Sequence, residues 1–516
     1  MVAGKMASSR SLRWRKAGLK PIDTSKLTNG NRAEVEEHEE PLSPSARLFH
    51  EPNFNVHVIA IMGSKVPINL DVIRSKFPGT LLKHPRFSSL QVVDENTKEM
   101  KWVPTTVNLE KHLIVPEIDA TSFASPEKFV EDYVSNLTKT TIDKSQPLWD
   151  VHVLNVKAAE AEAFAVWRIH HSLGDGTSLM SLLLACTRQV ANPNAVPTIP
   201  TKKRTEVNPL KLSNIGFRPL RWVWNLLLSL WWAVRLLWNS VVDVAMFAMT
   251  ALFLNDTKTP LTSPAGVENL PRRFLWKTVS LDDMKLIKNS MNTTINDVAL
   301  GVTQAALSQY LNRKYGDPKK DNLPKNIRMR STLLINLRPV SGIQALADLM
   351  DKGTEARWGN WIGFVLLPFT IGLRKDPLDY VREAQATVNR KKRSLEAIWT
   401  FTISEVVLKL FGIKASSALS HRIITHTTFC FSNLVGPMEE VEFHGHPMAY
   451  LAPSSFNQPH ALMINFQSYV DKMTVVLSVE EDTIPDGNQL LDDIVDSLKL
   501  IKEAAIAKFL VSDSQH

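Results

Sequence analysis

Residues 163–190, "AFAVWRIHHSLGDGTSLMSLLLACTRQV", set the type of fold. The first seven read as a strand running straight into a pair of histidines. The last fourteen, "TSLMSLLLACTRQV", read as an apolar helix over residues 177–190. Short polar side chains cap exposed helix N–H groups, so the corner Asp175-Gly176-Thr177 is the expected helix N-terminus. A strand, a tight polar corner and a helix in immediate succession point to a protein that mixes sheet and helix.

The rest of the chain has the same alternation. "VHVIAIM" (residues 56–62) reads as a buried strand, and residues 71–76 read as a helix that ends near Pro78-Gly79. Further on, "RRFLWKTVSL", "MRSTLLINLRP", "THTTFCFSNLVGP", "ALMINFQSYV" and "MTVVLSV" read as strands. Helices are predicted over residues 295–316, 376–398 and near 490–508. The fold class is therefore α/β, of the mixed α+β kind. Four regions are expected: a flexible tail over 1–40, basic and then acidic; a first folded half over 41–191; a linker over 192–269; and a second folded half over 270–516.

The chain has 516 residues, a formal net charge of +8 and a pI near 9.2, a balance that suits an anionic partner such as a membrane surface. The basic residues are scattered and no recognition motif accompanies them, so no nucleic acid is expected as a partner. The two cysteines, Cys186 and Cys430, form no disulfide framework, which suits a reducing, cytosol-facing environment. No histidine pattern, "HGH" at 444–446 included, suits a metal. No GxSxG, GxGxxG or P-loop is present, so neither covalent serine chemistry nor a nucleotide cofactor is supported.

The histidine corner carries the chemistry. Histidine titrates near neutrality and can take and return a proton within one cycle. Successive strand residues face opposite ways, so His170 and His171 cannot easily enter the same cavity: one works and the other packs or orients. Gly174 and Gly176 permit a sharp bend and a close approach by another backbone or a ligand. Asp175 can cap Thr177 or Ser178, or pair with a distant arginine.

"HHSLGDG" matches HHxxxDG, the motif of the condensing acyltransferases. "PLW" (147–149), "ND" (296–297), "NLRP" (336–339), "GN" (359–360) and "SNLVGP" (432–437) follow in order. The set resembles the wax ester synthase/diacylglycerol acyltransferase family, and "EPLSP" at 40–44 resembles its plant branch. The DFGWG string of the plant alcohol acyltransferases does not occur. The resemblance runs from residue 41 to the C-terminus. It implies two chloramphenicol-acetyltransferase-like subdomains with an active-site tunnel between them. Fatty acyl-CoA and the acceptor, a fatty alcohol or diacylglycerol, would reach the tunnel from opposite faces. It implies His171 as general base, with His170, Asp175 and Gly176 as support and Arg338 as a partner for Asp175. Asn296 is a candidate oxyanion donor; Asp297, Asn336 and Asn433 are further candidates for the site or for contact between the halves. Acyl-CoA would be a substrate, and no cofactor is implied. The alternative is a catalytically silent lipid-binding or scaffold protein of the same fold; the intact His171, Asp175 and Gly176 favour the enzyme.

Residues 220–254 hold five of the thirteen tryptophans and only three charges, Arg221, Arg235 and Asp243. Either of two 19-residue windows could be called transmembrane, but one crossing would separate two halves that must share a site, and two crossings need about 40 residues. An interfacial helix pair or a shallow re-entrant hairpin on the membrane surface is the favoured expectation, ahead of a true span and of a buried core or lid element. By the resemblance the membrane is that of the endoplasmic reticulum, with the plasma membrane as the alternative.

Overall fold

The computed structural model describes residues 40–95, 99–118, 123, 125–200, 218–338 and 358–513. Almost all of the expected tail, part of the linker and Pro339 lie outside the described residues. In the first half the strands are β1 (Glu40–Pro41), β2 (His57–Ser64), β3 (Ser89–Val93), β4 (Met100–Pro104), β5 (Leu113–Ile114), β6 (Trp149–Leu154), β7 (Ala163–His170) and β8 (Thr187–Gln189). The second half supplies β9 (Arg273–Ser280), β10 (Arg328–Asn336), β11 (Ile362–Thr370), β12 (Phe429–Leu434), β13 (Val441–Phe443), β14 (His446–Phe456), β15 (Leu462–Tyr469) and β16 (Lys472–Val479). The helices are α1 (Pro44–Leu48), α2 (Leu70–Lys76), α3 (Pro126–Leu137), α4 (Gly176–Cys186), α5 (Arg218–Leu252), α6 (Leu281–Ser290), α7 (Ile295–Tyr315), α8 (Leu378–Lys391), α9 (Glu396–Thr425) and α10 (Gly487–Asp513).

Two sheets organise the molecule. The first runs in the order β5-β6-β7-β2-β14-β13-β8 and the second in the order β11-β10-β12-β15-β16-β9; β1, β4 and β3 form a small third sheet. Division of the chain at residue 270 does not divide the sheets. β14 lies antiparallel to β2 from Met448 opposite Ser64 to Phe456 opposite His57, and β13 pairs with β8. The reason is the edge of β2. Ile59 and Ile61 are fully buried, and a buried strand edge must find hydrogen-bond partners for its backbone. The second half provides them.

The sheets bury apolar layers of different character. One face of the first sheet packs Trp149 and Trp167 against Phe77 and Phe87, and its other face packs Phe164 and Val166 against Val130 and Val134 of α3. The second sheet is covered by α6, α7, α8 and α10. Helix α7 begins at a capping box in which Thr294 and Asp297 satisfy each other's backbone N–H groups. All of its residues 297–308 are buried, which explains the absence of a polar stripe.

Four sequence expectations change. Helix α4 ends at Cys186, not at residue 190: Thr187 is extended, and Thr187–Gln189 pair with β13. The helix expected over 376–398 stops at Lys391. The 30-residue helix α9, broken at Gly412, was not foreseen. Residues 220–252 of this segment form no pair or hairpin but one helix, α5, because no proline or glycine interrupts them after Pro219.

The downstream part of α5 is bound to the body of the protein. Asn239 donates to the carbonyl of Arg393, Ser240 accepts from the Leu395 N–H, and Phe247 packs on Leu366 and Ile423. Asp243, the one acid of the segment, is buried and paired with Arg390 at 2.8 Å and Lys391 at 3.0 Å. Most residues over 223–238 are exposed instead. Val223–Leu252 is long and apolar enough to cross a membrane by length and composition. The packing of its downstream half restricts the free part. Between Arg221 and Arg235 lie 13 uncharged residues. At about 1.5 Å per residue they reach roughly 20 Å, short of the ~30 Å hydrocarbon core.

Burial sets the pH response of the fold. It pushes the pKa of His57 down to about 4 and those of His84 and His460 down to about 3. The folded chain keeps these rings neutral, while the unfolded chain takes up protons below about pH 6.5. The unfolded state then holds more protons, so stability is full above pH 6.5 and falls as the pH drops towards 4. Each such ring contributes about 1.4 kcal/mol per pH unit within its window. Thermal melts from pH 7.5 to 4.5 should show a constant Tm above about 6.5 and a steady fall below it.

Candidate active site

Strand β7 delivers the two histidines to the end of the first sheet, and their rings part there as strand alternation requires. His170 turns into a closed polar network: its Nδ1 lies 2.6 Å from Ser172 Oγ and its Nε2 lies 3.1 Å from Asn55 Oδ1. Burial, together with the neighbouring His57 and His50, holds its pKa well below the ordinary range. Both of its ring nitrogens are engaged by protein.

His171 is equally buried but differently served. Its backbone N–H donates to the Val56 carbonyl at 2.9 Å, and Phe49 stacks on its ring at 4.3 Å between centroids. Asn360 holds it twice: Nδ2 donates to the His171 carbonyl at 2.9 Å, and Oδ1 lies 3.1 Å from Nδ1. Because the amide nitrogen is committed to the carbonyl, Oδ1 is the acceptor and the ring proton sits on Nδ1. Nε2 then carries the lone pair. Burial lowers the pKa of the ring, against opposing effects of Asp175 and of hydrogen bonding, so the ring is neutral at pH 7.

Two cavities meet at His171. The first, about 400 Å³, is lined by α4 and by Ala60, Trp167, Leu434 and Leu451. The second, about 260 Å³, is lined by Phe49, Phe54, Trp361 and the inner side of α9. His171, Leu334, Ile362, Ser455 and Met463 border both. Both cavities are mostly apolar, as a site for a long hydrocarbon would be. Cys186 borders the first and Cys430 the second, and burial pushes both thiols up to about 12. Neither offers a thiolate nucleophile at neutral pH. The neutral imidazole of His171 can accept a proton there.

Asp175 performs both roles that its sequence position allowed. Oδ1 accepts from the Ser178 N–H at 2.9 Å and caps α4; Oδ2 accepts from Arg338 Nη1 at 2.9 Å and from the Trp361 N–H at 3.0 Å. Arg338 Nη2 continues to Ser178 Oγ and to the Gly359 carbonyl at 2.6 Å. Gly359 has φ 110°, in the left-handed region that favours glycine, so this carbonyl position requires that residue type. Gly174 is extended and Gly176 is helical, so neither supplies the sharp bend expected of it. Gly176 supplies the close approach: Leu434 Cδ1 would lie 3.0 Å from a Cβ placed there.

The remaining candidates separate. Asn336 lines the first cavity and accepts from the Arg338 N–H at 3.0 Å. Asn433 lines it too, and its Nδ2 donates to Asn296 Oδ1 at 3.2 Å. Among the described residues Asn296 borders neither cavity, and its hydrogen bond to Asn433 links it to the site. Asp297 accepts from Thr293, from Thr294 Oγ1 and from the Thr294 N–H, in the service of helix α7. Phe49 and Asn360 were given no role in the sequence. Asn360 had a signal, the dipeptide "GN"; Phe49 had none.

Two measurements follow from this geometry. Asp175→Ala should lower stability by about 3–5 kcal/mol, because it removes the carboxylate from a buried ion pair and from the cap of α4; chemical denaturation measures this. Nitrogen NMR of the His171 ring should show a neutral Nδ1–H tautomer at pH 7 and less than half protonation at pH 6.5.

The comparisons with known proteins bear on this site. Residues 50–299 match the family model of the wax ester synthase/diacylglycerol acyltransferase catalytic domain, and residues 358–502 match that of the WS/DGAT C-terminal domain. Wax ester synthase/diacylglycerol acyltransferase 11 of Arabidopsis thaliana is 48% identical over 475 residues, which cover 92% of this chain and 96% of that protein. Wax ester synthase/diacylglycerol acyltransferase 5 of the same plant is 48% identical over 481 residues, 91% of this chain and 95% of that protein. Among solved structures, the wax ester synthase/diacylglycerol acyltransferase from Marinobacter aquaeolei VT8 superposes with a TM-score of 0.57 at 17% identity, covering 90% of this chain and 99% of its own. The first condensation domain of the CDA synthetase gives 0.52 at 12% identity, covering 87% and 91%. At these identities the structural likeness speaks for the fold alone.

Proposed function

The chain belongs to the wax ester synthase/diacylglycerol acyltransferase family, and on that premise we propose that it moves a fatty acyl group from acyl-CoA to a long-chain alcohol, with diacylglycerol as a second acceptor. The observation that carries this reading is the His171 ring between two apolar cavities, with Nδ1 3.1 Å from Asn360 Oδ1. In the proposal the cavities are the two arms of one tunnel, and the thioester and the acceptor hydroxyl meet at the ring.

His171 takes the hydroxyl proton on Nε2. The acceptor oxygen attacks the thioester carbonyl and a C–O bond forms. The tetrahedral intermediate collapses with cleavage of the C–S bond, and the imidazolium returns its proton to the leaving CoA thiolate. Asn360 acts as a positioning residue, because a ring free to flip would present its lone pair elsewhere. His170 and Asp175 support the corner. No cofactor takes part in these steps.

The acceptor and the product are lipids, and the reading includes a membrane surface as partner. The exposed apolar residues of α5 over 223–238 support this, as do the interfacial habits of tryptophan. The proposed site of action is the cytosol-facing surface of the endoplasmic reticulum.

Purified enzyme with labelled palmitoyl-CoA and hexadecanol or diacylglycerol should yield wax ester or triacylglycerol. His171→Ala should lower turnover by about 10²–10⁴-fold with the fold intact. Equal product from both proteins would remove His171 as the base. Because a neutral ring is the active form, activity falls as the pH drops through a pKa below 6.5. Asn360→Ala should slow turnover roughly fivefold, for a hydrogen bond of about 1 kcal/mol, and should move the acid limb lower. A purely structural Asn360 would leave the limb in place.

A further inference from the structure

Helix α9 is apolar on two sides. Its inner side, with Phe401, Ser404, Leu408, Ile413 and Ser416, lines the second cavity. Its outer side exposes Ile398, Trp399 and Val406 by about half, at 57%, 48% and 47%. At Gly412, φ 80° and ψ 178° break the helix into limbs over 396–411 and 413–425. A Cβ at Gly412 would meet nothing within 4 Å, so conformation and not space selects glycine there.

The two ends of α9 are tied to α5: the Leu395 N–H donates to Ser240 Oγ, and Ile423 packs on Phe247. The bend lies between these anchors. Its tip, Leu410 and Phe411, is 70% exposed at both residues, the most exposed large hydrophobic pair among the described residues. Exposed lysines, Lys409 and Lys414, flank the tip; the nearest acid in the sequence, Glu405, is also exposed, at the border of the second cavity.

We propose that the bend of α9 inserts into the surface of an anionic bilayer and opens the second cavity sideways to it, so that this arm receives the acceptor lipid directly from the membrane. The assignment of the acceptor rests on the acyl-transfer reading above; the insertion rests on the bend itself. An apolar tip framed by lysines fits acyl chains beneath anionic headgroups. A CoA moiety, polyanionic and water-soluble, has no reason to cross that layer. The first cavity remains for the acyl thioester.

The test uses the full chain carrying Leu410→Cys labelled with an environment-sensitive fluorophore, since the buried thiols of Cys186 and Cys430 are poor targets for the label. Vesicles of phosphatidylcholine and phosphatidylserine should shift the emission to the blue, more than phosphatidylcholine alone does. An unchanged emission overturns the proposal. So does a blue shift without vesicles that grows with protein concentration, which would mean that a second copy covers the bend. The second arm uses Leu410→Asp/Phe411→Asp with palmitoyl-CoA and hexadecanol. The rate on hexadecanol in vesicles should fall at least about tenfold, since the burial of one such side chain is worth more than a decade in affinity. The rate on hexadecanol in detergent micelles should stay at the wild-type value. Equal rates of variant and wild type on vesicles overturn the lateral route. If wild type acylates neither hexadecanol nor diacylglycerol in either medium, the acyl-transfer reading fails, and the fluorescent probe still decides the insertion.

Discussion

The carboxylate of Asp175 and the guanidinium of Arg338 come from different halves of the chain, and both are nearly excluded from water, at 2% and 5% side-chain exposure. A lone buried charge of either sign would be prohibitive. The pair is tolerated because each carboxylate oxygen is satisfied, one by the N-terminus of α4 and the other by Arg338 and the Trp361 N–H. The contact therefore works as a coincidence condition. The capping carboxylate of the helix after the histidine corner meets its counter-charge only when the second half is in place. Trp361 follows Asn360, so the same contact fixes the distance between Asn360 and His171. Stability and the orientation of the ring thus depend on one ion pair.

Desolvation acts on the two histidines and the two thiols at the site. It keeps the imidazole of His171 neutral, and it keeps the two thiols protonated. His170 feels the same burial, but its ring nitrogens are occupied by Ser172 and Asn55. The difference between the two histidines is a matter of hydrogen-bond partners, not of intrinsic basicity.

The strand, corner and helix around His171 were legible because each obeys a local rule: a short apolar run, a capping aspartate, an apolar helix. The Arg338 partner became legible only through the resemblance, since nothing in residues 168–180 names a partner in the other half. Three features were not legible for physical reasons. Helix α9 faces a cavity on one side and the exterior on the other with apolar residues on both, so the helical stripe that betrays an amphipathic helix is missing. The end of α4 at Cys186 is imposed by pairing with β13, a tertiary contact that no propensity in "TRQV" reports. Phe49 belongs to a segment that reads as the start of the fold, and nothing there marks a ring destined to stack on His171.

The insertion of β13 and β14 into the first sheet has a consequence for biosynthesis. As the chain leaves the ribosome, β2 and β7 appear early and can pair at once, but the other edge of β2 must wait until β9–β12 have been made. Until β14 arrives, an apolar strand edge is available to any passing polypeptide. Closure of so long a loop is intrinsically slow. A nascent chain of this design depends on shielding of that edge during translation. A ribosome that stalls before codon 446 releases a first half whose central sheet cannot close.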